Sequence, residues 1–165
     1  MAAGNTYEAI ATTTVTGSST ISVTFSSIPS TYTDLIIVSQ YKSVSNNYLM
    51  MRFNGDTASN YSRIELTGNG SSATSSRYSN EAYAYVSSLY APTGDWETGI
   101  SQINNYSNTT TYKTMMTRVN TPTQGVNATA NLWRSTSAIN TILITAIGSG
   151  YDVGSTFSLY GIKAA

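Results

Sequence analysis

Apolar and polar residues alternate with a period of two along almost the whole chain, and turn-forming residues break the alternation roughly every 8 to 15 positions. Successive side chains of a strand point to opposite faces, so this pattern builds sheets and not helix bundles. In "ISVTF" it predicts Ile21, Val23 and Phe25 on one side and Ser22 and Thr24 on the other. "LIIVSQYK" is apolar on both faces at first, which predicts a central strand. "YLMMRFN" groups Leu49, Met51 and Phe53 against Tyr48, Met50 and Arg52. Its expected partner is "YSRIELTG", with Ile64 and Leu66 inward and Arg63 and Glu65 outward. Further strands are legible in "YEAIATTTV", "EAYAYVSSLY", "TGISQINNY", "YKTMMTRVN", "VNATANLWR", "INTILITAI" and "STFSLYGIK". The expectation is an all-β, antiparallel β-sandwich, jelly-roll-like, of about ten strands, with another Greek-key sandwich as the competing topology. Residues 68–76 read as a mobile loop, residues 1–6 as an N-terminal arm and residues 7–165 as one domain.

Surface polarity is carried by Ser, Thr and Asn, which compete for the backbone and disfavour helix, in agreement with the strand pattern. Charged residues make up 10% of the chain and cancel to a net charge of zero. The bases are scattered singly, so the basic footprint that a nucleic-acid partner requires is missing. The longest apolar runs fall far short of the roughly 18 to 20 residues that span a bilayer as a helix, so no membrane partner is expected. The N-terminus lacks the basic flank and apolar core of a secretory signal, so release by lysis or assembly is expected.

The chain contains no His and no Cys, which removes Ser-His-Asp and Cys-His nucleophiles and the usual zinc ligands. "GNGSS" lacks the lysine and following helix of a phosphate loop. Asp95 and Glu97 flank Trp96 at a spacing that places both carboxylates on one face of a strand, as a glycosidase pair would need; a polar turn or edge strand anchored by Trp96 is the favoured reading. No catalytic residue, cofactor or metal is expected. Five Asn-x-Ser/Thr triplets, beginning at Asn60, Asn69, Asn105, Asn108 and Asn127, are what chance places in so Asn- and Ser-rich a chain. Tyr83 and Tyr85 share a face, either as a row facing solvent or a partner or as a cross-strand aromatic pair; the pair is favoured.

"FNGDTASNYSRIELTGNGSS" offers Asn and Asp at the density of a calcium loop, but with one carboxylate among Asn54, Asp56, Thr57 and Asn60 the ligand set is thin. Asn54-Gly55 between alternating runs is a strong hairpin signal, because both residues accept positive φ. Asn54, Gly55, Asp56 and Asn60 are therefore expected to stabilise a turn, with Asp56 and Asn60 bonding backbone.

"LMMRFNGDTASNYS", "FSSIPSTYTDL", "NYSNTTTYKT", "LWRSTSAINTI" and the terminal "GSTFSLYGIKAA" together resemble a family of small tailed-phage virion proteins common among marine phages and cyanophages. The resemblance runs over nearly the whole chain. It implies a non-enzymatic structural protein of the bacteriophage particle, similar to capsid decoration or cement proteins and to the terminal domains of tail fibres. A span from Met1 to Ala165 without a longer fibre favours the decoration role: a homotrimer on the capsid surface, bound to the phage major capsid protein and made in the host cytoplasm. The alternative is a tail-fibre or tail-tip adhesin that binds a host glycan or receptor, with Trp96, Tyr78, Tyr90 and the 68–76 loop as contact residues.

Overall fold

The structure, a computed structural model, describes residues 6–89 and 92–163. Most of the expected arm, residues 1–5, lies outside the described residues, as does Tyr90. Twelve strands and no helix form among the described residues. They are β1 (Tyr7–Thr14), β2 (Ser22–Phe25), β3 (Asp34–Lys42), β4 (Tyr48–Phe53), β5 (Tyr61–Gly68), β6 (Ala73–Glu81), β7 (Ala84–Tyr85), β8 (Trp96–Asn104), β9 (Lys113–Thr121), β10 (Gly125–Trp133), β11 (Ile142–Ile147) and β12 (Thr156–Ile162). All pairings are antiparallel, and the two sheets form a sandwich with the orders β1-β12-β3-β8-β9-β10-β5-β6 and β2-β11-β4-β7. With the hairpins β5–β6 and β9–β10 set aside, the chain crosses from one sheet to the other at every step except β4 to β7, leaving four-strand orders β1-β12-β3-β8 and β2-β11-β4-β7. The two hairpins lie side by side and extend the long sheet beyond β8.

Alternation becomes burial most clearly where the sheets face each other. Leu35, Ile37, Phe157 and Leu159 from the long sheet meet Val23, Phe25, Leu49, Met51, Phe53, Ile142 and Ile144 from the short one in a single apolar core. β3 lies between β12 and β8, the central position its two-sided apolar run predicts. Aromatic rings close the two ends. Tyr41, Tyr151 and Phe157 pack at one, with centroids 4.9–6.2 Å apart, and Phe53, Tyr61 and Trp133 at the other, at 5.5–6.2 Å.

Five local expectations are corrected. β4 and β5 are not partners: β4 pairs with β11 and β7, and β5 with β10 and β6, because the chain changes sheet between them. β5 is inverted, with Arg63 and Glu65 buried and Ile64 and Leu66 53% and 59% exposed. Residues 68–76 are not a loop; β6 starts at Ala73, and the turn before it is held by Asn69, whose Oδ1 accepts the N–H groups of Ser71 and Ser72 at 3.0 and 2.8 Å. Ile21 is exposed because the strand begins only at Ser22. Met50 is fully buried, in register with Tyr85 of β7.

Candidate interaction face

In the part of the long sheet formed by β9, β10, β5 and β6, the strands β10 and β5 carry their polarity the other way round from the rest. The inner face of this part presents Thr117, Asn127, Thr129, Asn131, Arg63 and Glu65, all buried, beside Met115 and Val119 of β9 and the aromatic end formed by Tyr61 and Trp133. Each of these polar groups needs a hydrogen-bonding partner, since an unpaired polar group in the interior costs about 1–3 kcal/mol. The partner is largely the backbone of residues 84–89. Asn131 receives the Tyr85 N–H and donates to the Tyr85 carbonyl, both at 2.9 Å, so a side chain does the work of a neighbouring strand. Thr117 donates to the Val86 carbonyl at 2.8 Å, and Asn127 donates to Ser88 Oγ at 2.8 Å and Thr67 Oγ1 at 2.9 Å.

Arg63 is the centre of this interior. Its Nε donates to Glu65 Oε2 at 3.0 Å and its Nη1 to Glu81, while the guanidinium lies 3.9 Å from the Tyr78 ring and 3.6 Å from the Tyr85 ring. Burial favours loss of its proton, but the two carboxylates outweigh burial and raise its pKa. The i, i+2 spacing of Arg63 and Glu65 was the available sequence signal, because it puts the opposite charges on one face of a strand.

The outer face of β10 and β5 is correspondingly apolar, and Met116 of β9 extends it. Met116, Val126, Ile64 and Leu66 are 52–59% exposed, with Ala128, Ala130 and Leu132 between them. Three shallow grooves run over this surface. One of about 500 Å³ is lined by Leu66, Val126, Ala128 and Ile100, one of about 400 Å³ by Ile64, Met116, Ala130 and Leu132, and one of about 380 Å³ by Tyr7, Ile36, Ile100 and Met116. Arg118, in register with Ile100 on one side and Ala128 on the other, stands in the middle; Arg77 of β6 stands beside Ile64. Neither arginine side chain has an ion pair or hydrogen bond among the described residues.

The expected glycan contacts do not converge. Trp96 is 42% exposed at one end of β8, 5.6 Å from Lys42 Nζ. Tyr78 is on β6, four strand positions away, and its ring is stacked on Arg63 at the inner face. Tyr90 lies outside the described residues. Tyr83 and Tyr85 pack on Arg52 and Arg63 at 3.8 and 3.6 Å and do not form an exposed row.

Asp95 and Glu97 do not form a carboxylate pair facing solvent. Asp95 accepts from the Thr123 hydroxyl at the surface, whereas Glu97 is fully buried and accepts from the Tyr41 hydroxyl. Burial pushes the Glu97 pKa up to about 7, with the Tyr41 hydrogen bond opposing and the Asp95 charge adding to the shift.

Asn54 and Gly55 take positive φ values of 51° and 69°, and Asp56 N–H donates back to the Phe53 carbonyl at 2.9 Å. The turn sequence prediction is therefore met locally, but the turn carries the chain from one sheet to the other. Asn54 Nδ2 donates to Ala138 O at 2.7 Å and its Oδ1 accepts from Asn140 and Thr141, tying the turn to the loop before β11. Asp56 accepts from Ala58 N–H at 2.9 Å, Asn60 Nδ2 at 3.0 Å and Trp133 Nε1 at 2.7 Å. Burial raises its pKa, but these three bonds outweigh it and bring the carboxyl below its ordinary value. A cation at Asp56 would have to displace those donors. The Trp133 contact, across 77 residues, is the one that sequence spacing had no way to suggest.

No protein-family model, no curated protein and no solved structure matches this chain.

Proposed function

We propose that this chain is a non-enzymatic structural protein of a bacteriophage particle, a decoration or cement subunit that binds the shell of major capsid protein and stabilises the head. The observation that carries the reading is the apolar outer face of β9, β10, β5 and β6. Contiguous exposed apolar surface of this kind marks an interaction site, and the inverted patterning of the adjacent strands β10 and β5 makes it a built feature, extended by Met116 of β9. The resemblance of the sequence to small tailed-phage virion proteins supplies the setting. We read the crossing of the chain between sheets as a jelly roll enlarged by two hairpins, with the enlargement providing the face. A homotrimer at three-fold positions of the shell, on the outside of the virion, completes the proposal. Each added contact of standard size, about 1,600 Å², would resist expansion and rupture of the head.

Copy number per particle tests this. Hundreds of copies, with antibody labelling over the head, are expected; a few copies with labelling confined to the tail would overturn it. A second reading, a tail-tip or fibre adhesin for a host glycan, is favoured by one observation, the exposed indole of Trp96 beside Lys42. Saturable binding on a glycan array that disappears with Trp96→Ala would establish that reading instead.

A further inference from the structure

We infer that the outer face of β9, β10, β5 and β6 docks a segment of a different polypeptide, one that carries a carboxylate among apolar side chains, with Arg118 as its counter-charge. This rests on the reading of the chain as a virion protein and specifies the partner's chemistry. Two features of the face lead to it. The surface around Arg118 is apolar on three sides: Ile100 and Ala128 flank it in register and Met116 lies two residues before it on the same face, while Asn120, two residues after it, offers an amide and no charge. Covering this surface would remove the guanidinium from water, which is costly unless an anion meets it. No carboxylate of the described residues does so. Asp34, at the margin of the face, is already engaged by Gln102 Nε2 at 3.4 Å and the Asn105 N–H at 2.8 Å.

A second copy of this chain is therefore a poor occupant. It would bring the same Arg118 and Arg77 to the interface and no free carboxylate, so both pairs of cations would be buried without partners. A segment with Asp or Glu between aliphatic or aromatic residues satisfies the apolar grooves and Arg118 together, and a second carboxylate in it could reach Arg77. Charge complementarity of this kind sets orientation and excludes wrong partners.

The test is sedimentation of purified protein with phage heads assembled without it, and separately with tails. Wild-type protein is expected to sediment with heads. Arg118→Glu and Met116→Asp are each expected to lower the bound fraction about tenfold or more, as loss of a central contact does. Arg118→Lys, which keeps the charge without the planar fork, should fall between them and wild type. Thr24→Glu, on the exposed side of the short sheet, is the control, and circular dichroism confirms that each variant is folded. Unchanged binding of Arg118→Glu would overturn the inference while leaving the decoration role standing. Binding to tails alone, still abolished by Arg118→Glu, would overturn the decoration role and leave the docking face standing. Self-association that Met116→Asp abolishes would assign the face to a second copy and overturn the inference, as would failure of wild-type protein to bind either heads or tails.

Discussion

The two parts of the long sheet use the same strand geometry to build opposite interiors. On β12 and β3 the buried positions are Phe157, Leu159, Leu35 and Ile37, and they face the apolar strands of the short sheet. On β10 and β5, inside the aromatic end made by Trp133 and Tyr61, the buried positions are Asn127, Thr129, Asn131, Arg63 and Glu65, and Asn131 and Asn127 bond the 84–89 segment. The first interior is held by removing area from water and tolerates any well-fitting apolar neighbour. The second is held by named hydrogen bonds and ion pairs, so it specifies one arrangement and is intolerant of losing a partner. The apolar residues it displaced from the interior appear on the outer face, where they are available for docking.

The largest expected effect lies in the polar interior. Arg63→Ala should cost about 3–5 kcal/mol in urea unfolding, because it leaves two carboxylates buried without their cation. The same change in an E65Q/E81Q background should cost much less. Equal costs in both backgrounds would mean that the polar half is held by packing, like its neighbour.

Ile144→Ala, in the apolar half, should cost about 2–5 kcal/mol through lost burial and the cavity left behind. A second-site change at Arg63 should add to it without coupling, since the two lie in different interiors. Strong coupling between them would dissolve the distinction.

Glu97 gives a test by pH. Its folded-state pKa, about 7, is above the ordinary value of 4.5, so the folded protein holds the proton more tightly than the unfolded chain. The associated stability is fully present below about pH 4.5 and is lost as pH rises through 7. Stability should fall by about 3 kcal/mol between pH 4.5 and pH 8, and Glu97→Gln should flatten this part of the profile. A flat wild-type profile would show that Glu97 is ionised in the folded protein.

Asp56→Ala should cost about 1–3 kcal/mol, since it removes the acceptor for Trp133, Asn60 and Ala58. The sign with pH is opposite to that of Glu97: the Asp56 pKa is lowered, so its contribution is present above the unfolded value and is lost as pH falls. Calcium should leave the Tm unchanged; a rise that Asp56→Ala abolishes would make this turn a metal site. The smallest effect is expected on the outer face, where Leu66→Thr or Val126→Thr should change stability by no more than about 0.5 kcal/mol. A larger loss in the isolated protein would mean that the face already supports the fold.

The periodicity of two, the turn residues and the scarcity of charge were enough to predict an antiparallel β-sandwich, because strand alternation is a local property of the backbone. Most strand positions follow for the same reason. Asn54-Gly55 also read correctly as a turn, since positive φ depends on those two residues themselves. The orientation of β5 did not follow. Its alternation identifies two faces but not which one is inside, and the usual assignment of apolar residues inward fails where Asn131, Tyr85, Glu65 and Glu81 supply partners for a polar interior.

What the sequence by itself determined is therefore the class of fold and the spacing of its strands, both set by φ, ψ preferences and side-chain alternation over a few residues. Only the tertiary structure decided which strands pair, that Glu97 is buried, that Trp133 binds Asp56, and that the apolar face of β10 and β5 looks outward. Each of these depends on groups brought together from distant parts of the chain, whose meeting no local pattern encodes.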